Sequence, residues 1–414
     1  MEWPRVRLAD VAEIVMGQSP PGETYNDDGV GLPFFQGKAD FGDHYPTPRK
    51  WCSAPSRVAE AGDILLCVRA PVGPTNVARE KSCIGRGLAA IRADLAHADQ
   101  NYLRFFLRYH EPSLSRQGQG STFSAIKRSE VEGLRLPLPP LSEQRRIVEI
   151  LDQADRLRCL RAEADATADR ILSALYRKMF LDRVSDWPTE PLGTHLRKTK
   201  GALQSGPFGS HLHNSDFVES GPVRVVGIDN VLDGEFSLGR NRRITAEKYE
   251  ELKKYTLEPR DILVTIMGTV GRTCVFPQLR EATICTKHVY RIQVDERLNP
   301  EYVSASIRFS PAVRDHLGAS ITGQIVAGIT SGNIRRLEFL IPPRGLQDRF
   351  AAHAGTLARQ RTDWRQAAAR LDRLFATLLR DAFSGKLTSS WRKAHMKELL
   401  QEMEYQASVL AEAR

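Results

Sequence analysis

The stretch Leu136-Pro137-Leu138-Pro139-Pro140-Leu141-Ser142-Glu143-Gln144-Arg145-Arg146-Ile147 returns later in the chain as Leu340-Ile341-Pro342-Pro343-Arg344-Gly345-Leu346-Gln347-Asp348-Arg349-Phe350. Pro139-Pro140, Gln144 and Arg146 match Pro342-Pro343, Gln347 and Arg349 at an offset of 203. Both copies lead into a long segment without proline. A residue before proline is biased away from the helix, and proline suits a first helical position, so each Pro-Pro marks a helix start. In the first copy Ser142 reads as the N-cap and Glu143 gives an acidic first turn.

The two long segments carry heptads. With Ile147 as position a, the a and d sites run Ile147, Ile150, Ala154, Leu157, Arg161, Ala164, Ala168, Ile171, Leu175 and Lys178, mostly apolar. The second segment gives Phe350, His353, Leu357, Gln360, Trp364, Ala367, Leu371, Leu374, Leu378 and Asp381, with every a site apolar. Such a sustained pattern predicts a coiled-coil seam over Ile147, Ile150, Leu157, Ile171 and Leu175 on one helix and Phe350, Leu357, Trp364, Leu371 and Leu378 on the other. As one helix, residues 142–180 would be roughly 58 Å long at 1.5 Å per residue.

The repeat extends outward from these helices. Trp3-Pro4 with Leu8 matches Trp187-Pro188 with Leu192 at an offset of 184. Ala61-Gly62-Asp63-Ile64-Leu65 with Gly73 matches Pro259-Arg260-Asp261-Ile262-Leu263 with Gly271 at 198, and Asn101-Tyr102-Leu103 matches Glu301-Tyr302-Val303 at 200. The slow growth of the offset places short insertions in loops of the second copy. Asp63–Val68 and Asp261–Met267 read as short strands, and Asn101–His110 and Glu301–Phe309 as short helices. The order is head, rod, head, rod: 1–141, 142–182, 183–344 and 345–388, then a tail of 389–414 that reads as helical. If the rods pack antiparallel, the fold is α+β: two related α/β heads joined and spaced by two long helices in a pseudo-twofold arrangement.

Composition bounds the partners. The 414 residues hold 59 Lys+Arg and 50 Asp+Glu, a net charge of +9, which favours a polyanionic partner. The excess sits in the second head and second rod rather than in a basic tail, so nucleic-acid contact would come from folded surfaces. The six cysteines form no C-x-x-C pair and read as reduced, mostly buried thiols. The N-terminus lacks an apolar leader core, and no apolar run approaches the ~18 residues of a membrane helix. The expected setting is cytoplasmic.

The doubled order of these motifs, with Leu379-Arg380-Asp381-Ala382-Phe383-Ser384-Gly385-Lys386-Leu387-Thr388 at the end of the second rod, resembles the specificity (S) subunit of type I restriction-modification enzymes. The match runs from Trp3 to about Arg392, nearly the whole chain. In that family the heads are target recognition domains. Each reads one half of a bipartite DNA site, while the helices set the gap and dock two methyltransferase (modification) subunits. The resemblance implies a non-catalytic chain bound to double-stranded DNA, with motor-nuclease (restriction) subunits joining for cleavage. S-adenosylmethionine, ATP and Mg²⁺ would belong to those partners. The second Pro-Pro is followed by Arg344-Gly345-Leu346-Gln347 instead of Leu-Ser-Glu-Gln, a departure that leaves its helix start less well capped.

Motifs for chemistry are absent from the sequence. None of the Pro-Pro pairs fits the [ND]-P-P-[YF] loop of an adenine methylase, and no G-x-x-x-x-G-K-[ST] loop occurs. His211-x-His213 has no partner pair, so no metal is expected there. Asp63 and Asp261, once per repeat at a strand start, suit turn capping. For DNA contact, equivalent loops of both heads offer Lys, Arg, Gln, Ser and Thr, the types that reach phosphates and base edges. They are Arg69 with Thr269 and Arg272; Arg86 with Lys287; Gln119, Ser121, Thr122 and Lys127 with Ser320, Thr322 and Gln324; and Gln36 and Lys38 with Asn230. Arg242 adds a phosphate candidate from the cluster Arg240-Asn241-Arg242-Arg243. The alternatives are a stand-alone DNA methylase or nuclease with an unrecognised site, and a structural coiled-coil adaptor.

Overall fold

The computed structural model describes residues 3–117, 125–182, 186–208, 211–321 and 329–412. The chain divides into two compact units, Met1–Glu163 with Gln366–Arg414, and Ala164–Arg365. The long helices are Leu141–Tyr176 and Arg344–Phe383. Each unit thus contains one head, the start of the helix that leaves it and the end of the other long helix.

The heads share one frame. In the first, a sheet runs in the order Ala12–Met16, Leu88–Ala93, Ile64–Cys67, Thr75–Val77, all antiparallel. The second repeats it with Leu203–Ser205, Val289–Ile292, Ile262–Thr265 and Thr273–Val275. The inner strands Ile64–Cys67 and Ile262–Thr265 are buried at every residue. They therefore read as continuous apolar runs rather than alternating ones. Each head adds a parallel pair, Leu32–Phe35 with Ser82–Ile84 and Val223–Val226 with Thr283–Cys285. The helices Gln100–Gln117 and Pro300–Phe309 place Tyr102 and Tyr302 in the two cores. Their hydroxyls donate to the carbonyls of Pro137 and Leu340, at 2.8 and 2.9 Å, on the strands just before each Pro-Pro.

The repeated glutamine of the Pro-Pro motif closes each head onto its helix. Buried Gln144 donates to the carbonyls of His97 and Pro139 and accepts from the Asp99 amide. Gln347 does the same with the carbonyls of Arg297 and Pro342 and the Asn299 amide. The neighbouring position differs. Glu143 is fully buried and accepts from Trp3 Nε1 at 3.0 Å, Thr388 Oγ1 at 2.6 Å and Arg392 Nε at 2.8 Å. Its counterpart Leu346 is apolar, so this polar node belongs to the first unit.

Ser142 is not an N-cap, because the helix begins one residue earlier at Leu141. Its backbone amide and hydroxyl both donate to the carboxylate of Glu402, on the tail helix Met396–Glu412. The tail is helical, seats Leu399 in the interior and sends Gln406 Nε2 to the His97 carbonyl. It covers the start of the first long helix, whereas Pro343, Arg344 and Gly345 at the start of the second are exposed within their unit.

Within the first unit the long helices run antiparallel: Glu143 meets Thr388 and Arg392 just past the end of the second helix, and Arg158 pairs with Asp372 further back. Phe375 lies under the guanidinium groups of both Arg108 and Arg158. In the second unit Tyr176 and Phe180 pack on Phe350. The expected seam is corrected here. Ile147 and Phe350 are buried, and Ile150, Leu175, Leu357, Trp364, Leu371 and Leu378 are half-buried, but Leu157 and Ile171 are more than half exposed. The buried positions are instead Ile147, Val148, Leu151, Leu172 and Tyr176 on the first helix, and Phe350, Phe375, Leu379, Ala382 and Phe383 on the second. Helix ends that lie on a globular head bury a broad stripe at the 3.6-residue period, not the narrow a/d seam of a free coiled coil.

Candidate nucleic-acid interface

Backbone hydrogen bonds gather the polar loops at one end of each head. In the first, the Gly85 amide donates to Phe35, the Val68 amide to Gly87, and the Ile126 amide to Val68. These bonds bring Gln36, Lys38, Arg86, Arg69 and Lys127 onto adjoining loops, and all five are exposed. In the second head, Thr286 donates to Val226, Ile266 to His288, and Ile329 to Ile266, the same ladder. It sets Lys287 and the 265–272 hairpin side by side. Arg272 and Lys287 are exposed there, and Thr269 is half-buried.

Glycines permit the close approach. A Cβ at Gly87 would lie 2.1 Å from the Gln36 carbonyl, and one at Gly206 would lie 2.0 Å from the Cys285 carbonyl. Both pack one backbone directly on another beneath the loops.

The structure revises one pairing. The short turns Lys38–Asp40 and Ile228–Asn230 are equivalent, with Asp40 and Asn230 each accepting the amide at Gly37 or Gly227. Lys38 therefore corresponds to Ile228, not to Asn230. Asn230 is also buried, with its amide nitrogen donating to the carbonyls of Ser237 and Leu238. All its bonding capacity closes its own loop, so it is removed from the contact candidates. Gln119, Ser121, Thr122, Thr322 and Gln324 lie outside the described residues; Ser320 sits near the end of the helix Pro311–Ile321.

Asp63 and Asp261 cap turns. Each accepts the amide three residues earlier, that of Glu60 at 2.8 Å and that of Glu258 at 2.7 Å. Their second partners differ: Asp63 is held by both Arg92 nitrogens at 2.8 Å, whereas Asp261 accepts from the neutral Gln293. Burial pushes the Asp261 carboxyl up to about 6. Its unfolded value is near 3.9, so its protonated form favours folding. That contribution is complete below about pH 4 and is lost as pH rises through 6, on the order of 3 kcal/mol in all. Asp261→Asn keeps a neutral acceptor, so the variant minus wild-type stability of the second unit should rise over that window. Urea unfolding at pH 4.5 and 7.5 reads it, and an equal difference at both would refute the assignment.

Sequence reasoning missed Asp229, whose carboxylate holds Arg242 at 2.7 Å. The two are 13 residues apart, and only the loop closed by Asn230 brings them together. Among the described residues no cluster of three or more His, Cys, Asp or Glu side chains could hold a metal ion, and no helix is long and apolar enough to cross a membrane.

The α+β frame is thus duplicated, and each head gathers its polar loops at one end. Residues 1–165 match the family described as the type I restriction modification DNA specificity domain. That match spans the first head and the start of the first long helix. A specificity subunit of Methanocaldococcus jannaschii is 43% identical over 158 residues, 38% of this chain and 37% of that one. The chain thus spans little more than a third of that relative's length. The EcoBI specificity subunit of Escherichia coli is 22% identical over a 445-residue alignment, covering 94% of this chain and 87% of the relative. The solved structure of a type I S subunit from M. genitalium shares the fold over 92% of this chain and 96% of its own, with a TM-score of 0.55 and 14% identity. A chain solved in work on complex assembly and conformational transition of the type I R-M system covers 93% and 98%, with a TM-score of 0.57 and 18% identity.

Proposed function

We propose that this chain is the DNA sequence-specificity subunit of a type I restriction-modification complex. Each head reads one half of a bipartite site in double-stranded DNA. The long helices dock two methyltransferase subunits, and motor-nuclease subunits join for restriction. The chain itself is non-catalytic, and S-adenosylmethionine, ATP and Mg²⁺ bind to its partners. The observation that carries this reading is the same backbone ladder in both heads, presenting different side chains: Gln36, Lys38 and Arg86 in one, Arg242, Thr286 and Lys287 in the other. A conserved frame with divergent polar loops suits two readers of two different half-sites.

Co-expression with the methylase encoded beside it, followed by methylome sequencing, tests the reading. One split motif with a fixed gap should become methylated, and exchange of residues 187–341 for those of another subunit should change only one half of it. An unchanged methylome with no complex formed would refute it.

A further inference from the structure

The second head contains a cleft of about 500 Å³. Phe217 and Ile228 form apolar walls, and Arg242, Thr286, Lys287 and His288 supply polar atoms. Two of these atoms are buried without a partner: Arg242 Nη1 and Thr286 Oγ1. A buried donor left unpaired costs free energy, so two of them on residues that line one cleft mark it as a place short of acceptors.

The guanidinium is held in place. Arg242 Nη2 donates to Asp229 Oδ1 at 2.7 Å, and Asp229 Oδ2 accepts the Arg240 amide. Burial alone would raise the Asp229 carboxyl, but the Arg242 hydrogen bond and the backbone amides hold it below the usual carboxylate range. The pair therefore stays ionised, and Nη1 remains fixed. Gly227 makes the room, since a Cβ there would lie 2.8 Å from Nη1. His288 is pushed down by burial and by Lys287, which favours the neutral ring. The cleft thus offers the cations Arg242 and Lys287 and one hydroxyl, against a carboxylate already engaged.

We propose that this cleft seats a phosphodiester of the DNA backbone, fixing the register of the second head on its half-site. Guanidinium, ammonium and hydroxyl donors lining one cleft suit phosphate oxygens, and such contacts position a reader without reading sequence. The first head has Gly85 and Arg86 where the second has Thr286 and Lys287, so it lacks the hydroxyl. The proposal rests on the DNA-specificity reading and adds a positioning site to it.

The test uses the assembled modification complex and a duplex carrying the methylated motif, with single phosphates replaced in turn by neutral methylphosphonate. Wild-type complex should lose about tenfold in affinity or more at one position beside the second half-site. Lys287→Gln and Thr286→Val should each shrink the loss at that same position. Lys287→Gln should also flatten the slope of log K against log salt by about 0.9, while Thr286→Val leaves the slope alone. A complex that binds the duplex but whose variants keep the wild-type scan and slope overturns the cleft assignment. So does inorganic phosphate that raises the Tm of wild type but not of Lys287→Gln while the DNA response of both is equal, because the cleft then serves a free phosphate. A complex that binds no duplex at all overturns the specificity reading itself.

Discussion

Glu143→Ala lowers the stability of the first unit by about 3–5 kcal/mol, the cost of breaking a buried ion pair from one side. The carboxylate is fully buried and accepts from Trp3, Thr388 and Arg392, while Arg392 is only slightly exposed. Removing it leaves three donors without their acceptor. Arg392 also stacks on the Trp3 ring at 4.5 Å, so the N-terminal strand and the tail loosen together. Calorimetry should show the loss in the transition of the first unit alone. Hydrogen exchange should rise across the 389–412 segment, with the second unit unchanged. Glu143→Leu with Arg392→Met, which removes both charges, should recover much of the stability. Equal loss in both units, or a loss below 1 kcal/mol, would contradict the role of the node.

Phe350→Ala should cost the second unit a similar amount, about 3–5 kcal/mol. Phe350 is fully buried where the second long helix leaves its head, with Tyr176 and Phe180 at 5.8 and 5.5 Å between ring centroids. Tyr302 packs on Phe180 at 4.7 Å, so the cavity would open at the centre of an aromatic cluster. Denaturant unfolding should show a lower midpoint for this unit only. Phe350→Leu, which keeps most of the volume, should lose far less.

The frame was legible because its signals are local and doubled. The Asp-Ile-Leu runs are central strands, the Pro-Pro pairs start helices, and Tyr102 and Tyr302 hold equivalent places. What escaped depends on contacts between distant segments. The heptad pattern identified long helices, but only the heads decide which stripe they bury, and that moved Leu157 and Ile171 to the surface. Gln144 and Gln347 stood at matched positions from the start. Their recurrence beside different neighbours could have marked them as the residues closing each head. Asn230 looked like a loop amide free for contact, yet a three-residue turn consumes its side chain. The cleft partners Asp229 and Arg242 carry no spacing signal at all.

The order in which the chain is made differs from the order in which its parts can be finished. The second unit, Ala164–Arg365, is one continuous stretch, whereas the first needs Gln366–Arg414 as well as Met1–Glu163. The head translated first must wait for the last residues to supply Phe375, Phe383, Arg392 and Glu402. At roughly 5–20 residues per second that wait is on the order of 12–50 s. During it, Glu143 has only Trp3 of its three partners, and the first core lacks Phe375, Leu379, Ala382 and Phe383. A ribosome stalled or released before Thr388 would leave a finished second unit attached to an unsealed first one. The nascent protein's exposure to aggregation and proteolysis is thus concentrated in its oldest segment.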